Sequence, residues 1–308
     1  MEDNQKDFNL NTTLEKTIKN LFRHFLTTSL IVFCLCNSSF SQSLNYATPS
    51  PYSVQLTPLL SNSAIKQDYK NTFVSNYHSY LGLFNDVNFI NGIYLSNLND
   101  RRALGASFLH ESTSDFFTRT RFHMIYQEHV RINADTWLSM GAKVGFINFK
   151  MDALGGTAGG SAWSPDYGLG ISLKNKDYGL GVSLEQLAQP KLQPIEYVFY
   201  LKRWLEVHVN YNILFSKEVK YIPEIRFRVQ DGTNAIRWNN TIVYQDMAGV
   251  SFNVINQSGY AFSAFYINKS KVKNAFKLYL TYFTPTGDLE NIDAEKIEFG
   301  AVFYFGKR

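Results

Sequence analysis

Cysteine is almost missing from this 308-residue chain: Cys34 and Cys36 are the only two, and both fall inside an apolar stretch near the N-terminus. Beyond that stretch there is no thiol, which excludes a disulfide framework and any thiolate zinc or iron–sulfur site. Charge is sparse as well, at 18% of residues with a formal net charge of +4. The basic residues are scattered rather than gathered, so the sequence offers no patch for nucleic acid. Also lacking, after the leader, is any run near the roughly 20 consecutive apolar residues that a membrane helix needs. A membrane crossing by the rest of the chain would therefore be made by strands.

The N-terminal stretch reads as a signal peptide. Phe25–Cys36 is an apolar core preceded by Lys16, Lys19, Arg23 and His24, and Ser39-Phe40-Ser41 supplies small residues for a signal peptidase. The expectation is cleavage between Ser41 and Gln42, giving a leader (1–41), a periplasmic N-terminal segment (42–72) and a barrel (73–308). Leader removal leaves the net charge unchanged, because Lys6, Lys16, Lys19 and Arg23 balance Glu2, Asp3, Asp7 and Glu15.

What the chain has in quantity is aromatic residues, 16% in all, with 25 Phe and 19 Tyr. They recur at every second position. Asp166-Tyr-Gly-Leu-Gly-Ile-Ser-Leu173 is followed, after Lys174-Asn175-Lys176, by Asp177-Tyr-Gly-Leu-Gly-Val-Ser-Leu184. Tyr167, Leu169, Ile171 and Leu173 share one face of a strand and the small residues the other, and the short polar link suits a hairpin. The same alternation predicts fourteen strands near 73–81, 88–97, 102–111, 116–128, 136–149, 165–174, 177–186, 205–215, 221–230, 235–245, 248–256, 259–268, 275–284 and 296–306. Residues 195–203 also alternate but are assigned to a loop. Alternation alone does not separate a lipid-facing barrel from a soluble sandwich. The signal peptide, the missing cysteines and the aromatic last strand (Phe299, Phe303, Phe305) favour the barrel, so the predicted fold class is all-β: one transmembrane antiparallel β-barrel in the outer membrane.

Connection lengths give an independent check. The longest gaps, 150–164, 187–204 and 285–295, follow the fifth, seventh and thirteenth predicted strands. All are odd-numbered, so a periplasmic N-terminus puts every long loop on the cell surface and turns such as 174–176 and 245–247 in the periplasm.

Catalytic and metal chemistry find little support. His78, His110, His123, His129 and His208 lie on different strands or turns, none in a compact motif with a nucleophile. Glu206 and His208 are the nearest thing to a base and its orienter, yet a polar pair pointing inward is ordinary in a barrel. No His-x-His motif occurs, and Asp288, Glu290 and Asp293 would at most hold calcium loosely. Gly155–Ser161 is a surface loop and not a phosphate loop, for no Lys-Ser/Thr follows. No catalytic residue, cofactor or metal is therefore assigned. The candidate lumen-lining charges are Arg119, Arg121, Lys143, Glu206, His208, Glu224, Arg226, Arg228 and Arg237, forming either a selectivity ladder or internal ion pairs.

The order of motifs resembles the PorP/SprF family of type IX secretion system membrane proteins. Pro58-Leu59-Leu60-Ser61-Asn62-Ser63-Ala64 is similar to that family's N-terminal Asn-Pro-Ala element, Ala103–Phe108 to its early Gly-rich strand, and Leu138–Phe146 to its central strand. The two Tyr-Gly-Leu-Gly copies, Tyr221-Ile222-Pro223-Glu224, Met247–Phe252 and Lys277–Thr284 follow in the family's order. The resemblance implies a non-enzymatic outer-membrane accessory that helps export or retain a secreted adhesin and docks to periplasmic lipoproteins of the secretion apparatus. Loops 150–164, 187–204 and 285–295 would grip the client, with segment 42–72 and the short turns facing the periplasm. The alternative is a porin for small solutes, with Arg119, Arg121, Arg226 and Arg228 setting anion preference.

Overall fold

A strand with one oily and one polar face must turn each toward a matching medium, and a ring of such strands does so for all of them at once. The computed structural model describes residues 57–307 apart from 82–86, 114–116, 154–157, 190, 196–197, 231–232, 257–258, 270–273 and 287–294. The expected signal peptide with its Ser41–Gln42 cleavage point, and the Asp288, Glu290 and Asp293 loop, lie outside the described residues. A short helix, α1 (Thr57–Ser61), comes first. The strands that follow are β1 (Tyr69–Tyr80), β2 (Val87–Asn97), β3 (Arg102–Thr113), β4 (Phe117–Arg131), β5 (Trp137–Met151), β6 (Gly160–Lys174) and β7 (Tyr178–Glu185). After a two-rung hairpin of β8 (Lys191–Leu192) and β9 (Phe199–Tyr200) come β10 (Trp204–Tyr211), β11 (Ile213–Leu214) and β12 (Val219–Gln230). The chain ends with β13 (Thr233–Tyr244), β14 (Ala248–Ile255), β15 (Gly259–Lys269), β16 (Ala275–Pro285) and β17 (Lys296–Lys307).

Apart from β8 and β9, which pair only with each other, the strands pair antiparallel in sequence order around the wall. The ring closes where β1 meets β17, from Tyr69↔Lys307 to Tyr80↔Lys296, and where β10 joins β7 to β12. Since β11 continues β10, the two make one stave, and the barrel has the fourteen that alternation predicts. The break between them has a local cause. Asn210↔Glu224 and Ile213↔Tyr221 set Tyr211 opposite Pro223, which has no N–H to complete the rung. The repeat segments become the hairpin β6–β7, in which Asn175 N donates to Tyr178 O at 2.8 Å. Positive φ at Gln245 and Asp246 makes the β13–β14 turn the mirror-image type that suits strand twist.

The two faces sort as the alternation requires. Ile90, Met124, Val144, Leu169, Ile171, Val250, Phe262 and Phe299 point outward and are exposed, whereas Asn76, Asn91, Gln127, Ser139, Asp166, Asn239, Asn253 and Thr281 point inward and are buried. No soluble fold would leave so many large apolar side chains on its surface. Strand ends shift by a few residues: β1 starts at Tyr69 rather than 73, and β6 reaches back to Gly160, shortening the expected 150–164 loop. Residues 195–203 contribute only the short strand β9 and no stave.

Candidate functional site: a filled lumen

The inward side chains of β3–β7, β10 and β12 form a charged arc. Arg119 pairs with Glu111. Arg121 Nε lies 2.9 Å from Asp166 Oδ2, and Lys143 Nζ lies 2.7 Å from Glu185 Oε2. Arg226 reaches two carboxylates, Glu224 at 2.6 Å and Glu206 at 3.1 Å, while Arg228 Nη2 meets Glu206 Oε2 at 2.7 Å and lays its guanidinium over Trp204. All but Arg228 among these charged groups are buried, and pairing is what makes such burial tolerable, because an isolated charge there is very costly to desolvate. Of the charges expected to line the lumen, Arg237 is half-buried opposite Arg226 on one side, and His208 is buried opposite Arg226 on the other.

The opposite arc carries an apolar cluster set among mostly neutral polar side chains such as Asn76, Asn91, Asn253 and Thr281. Val74, Ile93, Leu95, Ile125, Val243, Phe265, Tyr279 and Val302 form one buried cluster. Lys277 is buried beside it, with its ammonium 3.9 Å from the Phe265 ring.

Between the arcs runs the chain's own N-terminal segment. Leu59 and Leu60 of α1 pack on the apolar cluster, while Lys143 Nζ donates to Leu60 O at 3.3 Å and Arg226 Nη1 to Ser61 Oγ at 3.2 Å. Asn62 Nδ2 donates to Ile171 O and Val182 O, Gln127 Nε2 donates to Ser63 O at 2.7 Å, and Ser172 Oγ donates to Ala64 O at 2.8 Å. The seat is made of glycines. A Cβ on Gly141 would stand 2.2 Å from Ser63 O, and one on Gly170 would stand 2.1 Å from Asn62 Oδ1. So Gly170 and Gly181 of the Tyr-Gly-Leu-Gly copies leave clearance for a plug, while Gly168 and Gly179 make room for Lys143, Glu185 and Asn210 of the wall. The expectation for 42–72 was a segment facing the periplasm; residues 59–67 instead sit against inward-facing side chains, because Leu59 and Leu60 find apolar partners there and the small residues 61–64 fit the glycine seat.

At the other end, connection 186–203 turns inward. Positive φ at Gln186 and Gln189 takes the chain off the line of β7, and Leu192 and Leu201 bury against Ile147 and Phe149. Pro194 O comes so near Gly160 that a Cβ there would overlap it.

The described histidines lie in this interior except His110, which stands on the outer face of β3 beside exposed Phe108. His78 stacks on Phe89 at 4.0 Å, His110 Nδ1 lies 3.0 Å from Thr120 Oγ1, and His129 Nδ1 lies 2.8 Å from Ser139 Oγ. Sequence spacing did not foretell that His123 stands between Asp166 (Nε2 to Oδ2, 3.1 Å) and Ser107 (Nδ1 to Oγ, 3.5 Å), three residues brought together from three strands. Asp166 Oδ2 is shared with Arg121, and the contact to Ser107 is long, so the trio lacks the nucleophile–base hydrogen bond of an activated serine. Among the described residues, no cluster of His, Cys, Asp and Glu has the makings of a metal site.

A closed, lipid-facing ring of antiparallel strands around a polar, occupied interior defines an outer-membrane β-barrel. Solved structures agree on the fold. The chain is similar to a Pseudomonas aeruginosa FadL homologue (TM-score 0.50, 10% identity, covering 85% of this chain and 96% of that one). It is likewise similar to the CymD monoaromatic hydrocarbon channel (TM-score 0.51, 7% identity, 87% and 94%) and to the Ralstonia pickettii toluene transporter TbuX (0.50, 10%, 82% and 93%). No curated protein matches it. The family model for type IX secretion system membrane protein PorP/SprF matches residues 72–299, and the chain belongs to that family.

Proposed function

We propose that this barrel is a non-catalytic accessory of type IX secretion that supports export or surface retention of adhesin-type clients. The observation that carries this reading is the filled lumen: α1 and residues 59–67 occupy the interior at one end, residues 186–203 turn into it at the other, and the arginines expected to select ions are tied to carboxylates. Such an interior is a poor path for bulk solute, which leaves the two rims to do the work. The long connections face exported clients, and the short turns face periplasmic lipoproteins of the apparatus. The Ser107, His123 and Asp166 trio belongs to the ion-pair network and does not turn over substrate. Deleting the gene tests the role, with a marked fall in adhesin on the cell surface expected; unchanged delivery removes it.

The second reading is a diffusion channel, favoured by the likeness to CymD, which is described as a monoaromatic hydrocarbon channel. Planar bilayers separate the two. The accessory gives little steady current, whereas a porin gives stable steps with chloride selected over potassium.

A further inference from the structure

The barrel wall is uneven. β6 runs fifteen residues, but β7 beside it stops at Glu185, whose partner is Gly168. Above that rung, β6 keeps its ladder to β5 as far as Met151↔Gly160 and has no strand paired to its other edge, although Leu192 of β8 packs near Ala162 on its inner face. Backbone groups of a strand alternate in direction, and Tyr167 O turns to the vacant side, where it accepts from Leu187 N at 3.1 Å. By that alternation Pro165, Trp163 and Ser161 turn the same way, while Ala162, Ser164 and Asp166 serve β5. Pro165 offers only a carbonyl on that side. Ser161 and Trp163 each present an N–H and a C=O, and among the described residues neither has a backbone partner on that side. Both side chains are exposed, Trp163 at 64%. The adjoining rim carries exposed Lys191, Lys202 and Arg203.

We propose that the free upper edge of β6, from Gly160 to Pro165, is where an extended acidic segment of an exported protein docks by adding a strand to the barrel wall. A row of unmet N–H and C=O groups fits an extended polypeptide above any other ligand, and the basic rim selects an acidic one. The inference rests on the secretion role proposed above and locates its client contact.

The test uses whole cells and the full-length protein. Trp163→Pro removes an N–H that the barrel does not use, and Trp163→Phe keeps it. Both variants are first checked for insertion by heat-modifiable migration, and Ser161→Pro replaces Trp163→Pro if the latter does not insert. The expected result is a several-fold loss of surface adhesin with the proline variant, delivery close to wild type with Trp163→Phe, and loss of a cross-link from Ser161→Cys to the adhesin when Trp163→Pro is added. Full delivery and an intact cross-link with the inserted proline variant overturn the edge site while leaving the secretion role standing. An equal loss with Trp163→Phe overturns it in favour of the indole, and a cross-link that joins only two copies of this chain overturns it in favour of self-association. If a deletion strain delivers normally, it is the secretion role that fails.

Discussion

The charged arc and the apolar arc enclose the same plug, yet they hold it by different physics. On the apolar side, Leu59 and Leu60 pack against the cluster that holds Val74, Ile93, Phe265 and Val302, and that packing adds a nondirectional increment roughly proportional to the area removed from water. On the charged side, Lys143 and Arg226 each divide themselves between a carboxylate and the plug, and Gln127 and Ser172 donate to plug carbonyls. There the interactions are directional and collectively balanced, so removing one member harms its neighbours. The lesson is that the apolar arc sets affinity for the plug and the charged arc sets its register.

This contrast can be broken at graded cost. The largest effect belongs to Arg226→Ala, which leaves Glu206 and Glu224 short of a buried counter-charge. It should cost about 3–5 kcal/mol, measured as a lowered denaturant midpoint in detergent. Ile93→Ala on the other arc should cost about 2–5 kcal/mol by the same assay, as expected for a cavity that only partly collapses. Gly170→Val overpacks the seat where Asn62 rests, with a penalty of roughly 1–3 kcal/mol. It should also raise protease cleavage within 57–68 and increase bilayer current, because relief comes by expelling the plug. Replacing the ion pair as a unit, Lys143→Met with Glu185→Leu, should be far milder than Lys143→Met alone; equal losses in the two would sink the claim that pairing dominates that arc. Least of all, Lys174→Ala removes an exposed pair with Asp68 at the short-turn end and should move the midpoint by no more than about 0.2–1 kcal/mol.

Most of the wall was legible because its rule is local. Period-two alternation needs no knowledge of partners, so the runs at Leu138–Phe146 and Leu205–Tyr211 were found from side chains alone, and the doubled Tyr-Gly-Leu-Gly hairpin came with them. The family order of motifs was equally legible, residues 72–299 matching as expected. The interior was not. Residues 59–67 carry too little pattern to announce a plug, and Gly141 and Gly170 read as spacers until Ser63 and Asn62 were found against them. The meeting of Ser107, His123 and Asp166 depends on register across β3 to β6, which no spacing within one strand encodes. One signal could have been used: Pro223 marks a place where a neighbouring strand loses a rung.

The seam between β1 and β17 joins the first and last strands of the wall, Tyr69 with Lys307 and Tyr80 with Lys296. The cylinder is thus sealed by pairing the first strand of its wall with the last, so neither border is left bare. A truncated product would present two raw borders able to template aggregation. Closure is therefore a requirement on the wall as a whole, since only a chain that carries both β1 and β17 possesses the two halves of the clasp.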